Sequence, residues 1–129
     1  MNGRYVLDTN VVIALFANDV AVVERIRGAD EVFVPSVVIG ELYYGARRSG
    51  RVGANLARVN EFATESTVLS CDVGSAQRYG EIKDELRKKG RPIPENDIWV
   101  AALALQHDLT LVSRDEHFSQ IPGLRAEAW

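Results

Sequence analysis

The sequence predicts an α/β protein built around one parallel sheet. Two observations predict it. Short Val- and Leu-rich runs recur along the chain with helical stretches between them, and four acidic residues, Asp8, Glu41, Asp97 and Asp115, each lie beside an apolar run. Strands that alternate with helices pair in parallel through right-handed crossovers, which implies a doubly wound sheet of four to five strands with helices on both faces. Carboxylates near strand ends suit that architecture, because open α/β sheets hold their ligands beyond the carboxyl ends of the strands.

The elements follow in order. Arg4 to Asp8 is the first strand, with the apolar run Tyr5-Val6-Leu7 closed by Asp8, and Val32 to Val34 is the second. A helix from Ser36 to Arg48 carries Glu41 on a face shared with Val37, Tyr44 and Gly45. Val52, Leu56, Val59 and Ala63 recur at helical spacing and predict another helix, after which Val68 to Cys71 reads as the third strand. Asp72 is placed to cap a helix with the stripe Ala76, Tyr79, Ile82 and Leu86, and Gly90 ends it. Pro92 to Pro94 mark a loop before the last long helix, Asp97 to Gln106, with His107 at its end. Leu109 to Ser113 is the fourth strand, and Ile121-Pro122-Gly123 turns the chain toward a short final strand around Leu124 to Ala128.

Composition narrows the function. At 47% hydrophobic, 129 residues suffice for one domain, 1–129, with a real core. Fifteen Lys and Arg against 18 Asp and Glu give a net charge of -3, which excludes a bulk polycation and makes any polyanion site local. Cys71 is the single cysteine, so no internal disulfide forms; a reducing compartment fits, and the thiol is expected to fill core space. Met1-Asn2-Gly3-Arg4 leads into a strand without a long apolar region, so no signal peptide is expected. The longest apolar runs, Val11 to Ala17 and Trp99 to Leu105, fall short of the roughly 20 residues that span a bilayer. A cytoplasmic protein without a membrane partner is the expectation.

Several hard oxygen ligands brought to one sheet edge repel one another unless a divalent cation or shared protons offset the charge. The four acids therefore point to a metal-dependent enzyme. Singly, each has a structural alternative: Asp97 favours a helix dipole and Asp115 shapes a turn. Thr9 and Ser113 place hydroxyls beside two of the acids, where they can fix a water or ligand oxygen or close a turn. No acid falls between Glu41 and Glu61, an interval holding Arg47, Arg48, Arg51 and Arg58, and such a basic surface can hold a phosphate backbone without reading sequence or take an acidic partner segment. A second acid-free stretch holds Arg87, Lys88, Lys89 and Arg91, where a helix carboxyl end already explains the cations. His107 and His117 lie too far apart for a short zinc motif, and His117 reads as an exposed turn residue, though it follows Asp115 closely enough to touch substrate. Neither Cys71 nor Ser113 sits in a Gly-x-Ser-x-Gly elbow, and no Gly-rich phosphate loop is present.

These residues carry a resemblance. Val6-Leu7-Asp8-Thr9-Asn10 resembles the opening of a PIN domain, and Pro35-Ser36-Val37-Val38-Ile39-Gly40-Glu41-Leu42-Tyr43-Tyr44-Gly45 resembles its second motif. Ile93-Pro94-Glu95-Asn96-Asp97-Ile98-Trp99-Val100-Ala101-Ala102 and Leu111-Val112-Ser113-Arg114-Asp115-Glu116-His117-Phe118 are similar to the third and fourth, in the family's order. The pattern Glu-Leu-x-x-Gly-Ala and the final Trp resemble the VapC toxins of toxin-antitoxin pairs. The resemblance implies a PIN-like three-layer sandwich and a ribonuclease using Mg²⁺ or Mn²⁺. It also implies roles: Asp8 and Asp97 as metal ligands, Asp115 as a direct or water-mediated ligand, and Glu41 orienting metal-bound water. Thr9, Asn10, Ser113, Arg47 and Arg48 are the expected substrate contacts. The partners implied are RNA, a cognate VapB-like antitoxin and a second copy of the chain, with Tyr43, Tyr44, Phe62 and Trp129 as apolar surface for association.

Two other classes compete. A phosphoryl-transfer domain also uses a strand-end Asp with Mg²⁺, but the second strand-end Asp and late-strand Lys of such sites are missing. A binding module without catalysis would leave four acids at one edge unexplained. Metal-dependent cleavage of labelled RNA separates the three.

Overall fold

In the computed structural model, which describes residues 3–129, the strand order of the sheet follows from where the chain reverses. β1 (Arg4–Leu7) lies at the centre, flanked by β2 (Glu31–Pro35) and β4 (Thr110–Val112), with β3 (Thr67–Leu69) and β5 (Ala126–Glu127) at the edges. All four pairings are parallel. The chain first steps outward from β1 to β2 and β3, then returns to the other side of β1 for β4 and β5. The signal-peptide reading rests partly on Met1 and Asn2, which lie outside the described residues; among those described, no helix is long and apolar enough to cross a membrane.

Among the described residues, six α-helices make the connections from β1 to β4: α1 (Thr9–Phe16), α2 (Val20–Gly28), α3 (Ser36–Arg47), α4 (Val52–Glu65), α5 (Val73–Lys88) and α6 (Glu95–Gln106). Right-handed crossovers in opposite directions require helices on both faces, giving the expected three layers. β1 and β4 contribute the fully buried Val6, Leu111 and Val112, and α6 buries Ile98 and everything from Val100 to Ala104. An α-helix apolar on nearly all sides belongs inside the protein, and α6 accordingly packs against α5, α3 and β4. That fixes its first turn, and Asp97 with it, relative to the sheet.

The boundaries that the sequence predicts agree with the structure to within two residues, and the displacements have local causes. α6 starts at Glu95, directly after Pro94, whose ring suits the entry to a helix and which displaces the start from Asp97. Asp72 caps α5 as expected, and Gly90 leaves it with φ +67°, a conformation glycine adopts without steric penalty. The apolar stripe of α5 is shifted, however: Ser75 is buried and Ala76 exposed, because Ser75 hydrogen-bonds the cap. Val52 is also exposed, at the very start of α4. Cys71 corrects the core-filler expectation. It is exposed, since β3 ends at Leu69 on a sheet edge and the chain has already left the core. Trp129 and Phe62 are half-buried against their own chain, edge-on to Tyr5 and Phe16 respectively, so neither is a free apolar surface.

The Ser75 hydroxyl donates to Gln106 Oε1 at 2.5 Å and accepts from the Asp72 backbone N–H at 3.0 Å, joining the start of α5 to the end of α6. Ser75→Ala removes both bonds at a fully buried position. It should cost about 1–3 kcal/mol, the penalty for leaving buried polar groups unpaired. A lower urea midpoint at unchanged m-value checks this.

Candidate active site

β1 and β4 are neighbours, yet the chain leaves them in opposite directions, opening a crevice at their carboxyl ends. Leu7 pairs with Val112, so the next residues, Asp8 and Ser113, emerge side by side. The Asp8 backbone N–H donates to Val112 O at 2.9 Å, and the Ser113 hydroxyl donates to Asp8 Oδ2 at 2.8 Å. Asp8 also caps α1, its Oδ1 accepting from Thr9 N–H at 2.8 Å, and is only 5% exposed. Asp8 is therefore both a helix cap and a buried carboxylate, and a cap alone does not require burial.

The other three acids arrive from separate elements. Glu41 lies in the second turn of α3, where its Oε1 accepts from the Thr9 hydroxyl at 3.1 Å. Asp97 is the third residue of α6, and Asp115 caps the 3-10 turn Glu116–Gln120. His117 lies between these two, with Nδ1 at 3.2 Å from Asp97 Oδ2 and 3.0 Å from Asp115 Oδ1. Among the described residues, no Lys or Arg forms an ion pair with any of the four acids.

Electrostatics follow from that geometry. Burial pushes the Asp8 carboxyl up; the Ser113 and Thr9 hydrogen bonds oppose this, and the Asp115 charge adds to it. Burial likewise raises Glu41, against the Thr9 hydrogen bond, with help from the charges of Asp8 and Asp97. Asp97 is raised by burial, against its bond from His117, with Asp8 and Asp115 reinforcing the shift. Asp8 and Asp115 both act on Asp97, and Asp8 acts on Glu41 as well. A site with this many hard oxygen donors and no Lys or Arg counter-charge fits a divalent cation.

The predicted contacts divide into two groups. Thr9, Asn10 and Ser113 brace the acids: Ser113 Oγ accepts from Asn10 Nδ2 at 3.3 Å and from the Asp115 N–H at 3.0 Å while donating to Asp8. Asn10 Oδ1 also accepts from the Arg114 N–H at 3.1 Å. Arg47 and Arg48 are exposed near the end of α3, outside this network, with Arg48 over the Tyr44 ring at 6.0 Å. In the second basic stretch, Arg87 and Lys88 pair with Asp84 on their own helix. His117 is the exposed turn residue that the sequence predicts, and its place two residues after Asp115 also brings its ring onto both acids, a contact the sequence does not specify. Sequence reasoning missed Arg114; its side chain reaches Asp19 Oδ2 and Trp129 O, both at 2.8 Å, and anchors the loop that carries Asp115.

Comparison with known proteins agrees with the geometry. The PIN domain model matches residues 5–124. The chain belongs to the PIN-domain family. It is 37% identical to Ribonuclease VapC2 of Haemophilus influenzae, and 34% identical to the tRNA(fMet)-specific endonuclease VapC of Shigella flexneri, each over 98% of both chains. Among solved structures it is similar to VapBC2 from Rickettsia felis bound to a DNA fragment from their promoter, with a TM-score of 0.91 and 27% identity over 98% of each chain. The PIN fold, including the parallel five-stranded sheet, is the one expected from the four motifs.

The raised acids set a pH dependence. On unfolding, Asp8, Glu41 and Asp97 return to ordinary carboxyl values, so between those and the higher folded values the folded chain holds more protons. Stability from these groups is therefore greatest at low pH and is lost as pH rises through the folded values. Denaturant midpoints of metal-free protein should fall as pH rises above the ordinary carboxyl range, and Asp8→Asn should flatten that slope. A midpoint that rises with pH there would refute the assignment.

Proposed function

We propose that this PIN-domain chain is a divalent-metal-dependent endoribonuclease, the toxin of a toxin-antitoxin pair, with residues 1–129 acting as a single domain in the cytoplasm. What carries the reading is the cluster of four acids at the β1–β4 crevice without a Lys or Arg counter-ion among the described residues. The same lack speaks against aspartyl-phosphate chemistry, which needs a cationic partner for the phosphate. Mg²⁺ or Mn²⁺ held by Asp8, Asp97 and Asp115 would supply an activated water and offset charge on the phosphate. Glu41 uses Oε1 to accept from Thr9, which leaves Oε2 to orient the attacking water and take its proton. Its raised proton affinity suits that task. Ser113, Asn10 and Thr9 hold the carboxylates in place as the phosphodiester binds, and Arg47 and Arg48 meet the RNA backbone. Transfer RNA is the first substrate class to test, being the one named for the Shigella flexneri relative.

The partner in this reading is a VapB-type antitoxin, as in the VapBC2 assembly of Rickettsia felis, bound to a dimer of this chain. A groove of about 290 Å³ supports it: Ile13, Phe16, Leu42 and Val59 line a largely apolar cleft between α1, α3 and α4, with Glu41 and Arg58 among its polar walls. Ile13 is 55% exposed there, and a partner segment would bury it.

Asp97→Asn separates a metal ligand from a helix-dipole role, because it removes charge while keeping size. Cleavage of labelled tRNA in Mg²⁺ should fall at least about 100-fold, while the metal-free variant should be no less stable than the parent. Parent-rate cleavage by a destabilised variant would contradict the assignment.

A further inference from the structure

We propose that His117 is itself a ligand of the metal centre, adding an imidazole nitrogen beside Asp97 and Asp115 and biasing the site toward Mn²⁺ over Mg²⁺. The inference rests on the metal-nuclease reading above and specifies its ligand chemistry. Geometry carries it. Nδ1 of His117 lies 3.0 Å from Asp115 Oδ1 and 3.2 Å from Asp97 Oδ2, and one donor atom from each residue falls within 4.8 Å of the other two. Neighbouring ligand atoms of a six-coordinate ion with bonds of about 2.1 Å are about 3.0 Å apart, so the nitrogen already stands at ligand spacing from both oxygens.

The turn holds the ring there. Phe118, the next residue, is 1% exposed and anchors the segment in the core, while the His117 backbone N–H donates to Asp115 Oδ1 at 3.0 Å. No other side chain among the described residues bonds the ring, so its nitrogen is committed to the two acids. Both Mn²⁺ and Mg²⁺ accept carboxylate and water oxygens, but Mg²⁺ is the harder ion and gives up its water reluctantly, so an imidazole nitrogen adds more to Mn²⁺ binding. A mixed nitrogen and oxygen donor set therefore raises Mn²⁺ affinity more than Mg²⁺ affinity.

Pulsed electron paramagnetic resonance on the Mn²⁺-loaded protein reads the bond directly, and calorimetric titration of each ion reads its consequence. The wild-type chain should show nitrogen coupling to Mn²⁺, and His117→Gln, at a half-exposed position, should fold and lose it. Mn²⁺ should bind the variant about tenfold or more weakly, with Mg²⁺ affinity changed less than about threefold. Mn²⁺ bound to the wild type without nitrogen coupling would overturn the proposal and leave the carboxylate centre standing, as would equal Mn²⁺ affinity in the variant. Failure of the wild type to bind either ion would remove the metal centre and this ligand with it.

Discussion

Four carboxylates converge where the sheet reverses direction, and the surrounding structure holds them together against their own repulsion. The reversal between β1 and β4 opens the crevice, and the adjacent ends of these strands deliver Asp8 and Ser113 as neighbours. The Ser113 hydroxyl is the node. It donates to Asp8 and accepts from Asn10 and from the backbone of Asp115, using its full bonding capacity to tie the loop after β4 to the start of α1. Burial raises Asp8, Glu41 and Asp97 each in its own place, and the Asp8 charge adds to the shift of the other two.

Much of the remaining fold serves to place the other two elements. α6 is buried along most of its length and cannot shift without disturbing the core, so Asp97 in its first turn is fixed. The loop bearing Asp115 has a different anchor: Arg114 spans from Asp19, ahead of α2, to the main chain of Trp129, and Trp129 packs on Tyr5 of β1. Stability invested in these anchors offsets a site that is unfavourable until a cation arrives. Function at such sites commonly opposes stability.

The architecture was legible in the sequence because buried parallel strands and amphipathic helices leave strong patterns, and Asp8 and Glu41 interrupt those patterns conspicuously. Positions that depended on tertiary bonding were not. Ser75 displaces Ala76 from the buried face of α5 because its hydroxyl is used at the cap, something periodicity does not reveal. Cys71 looked apolar enough for the core but falls past the end of an edge strand. His117 belongs with the acids through a turn whose geometry, not its spacing from His107, decides what the ring touches. Thr9, Asn10 and Ser113 were visible as polar residues beside the acids, though the bonds they make became readable only once β1 and β4 were paired.

Proton release most directly tests whether the four acids form one charge-coupled centre that a divalent ion relieves. Titrating Mg²⁺ into the protein at about pH 5, in two buffers of different ionisation enthalpy, measures the protons displaced on binding. The raised carboxyls of Asp8, Glu41 and Asp97 must give up bound protons to a cation, so net release should appear and diminish as pH rises above the folded-state values. Binding with no proton release at any pH would contradict a coupled carboxylate centre.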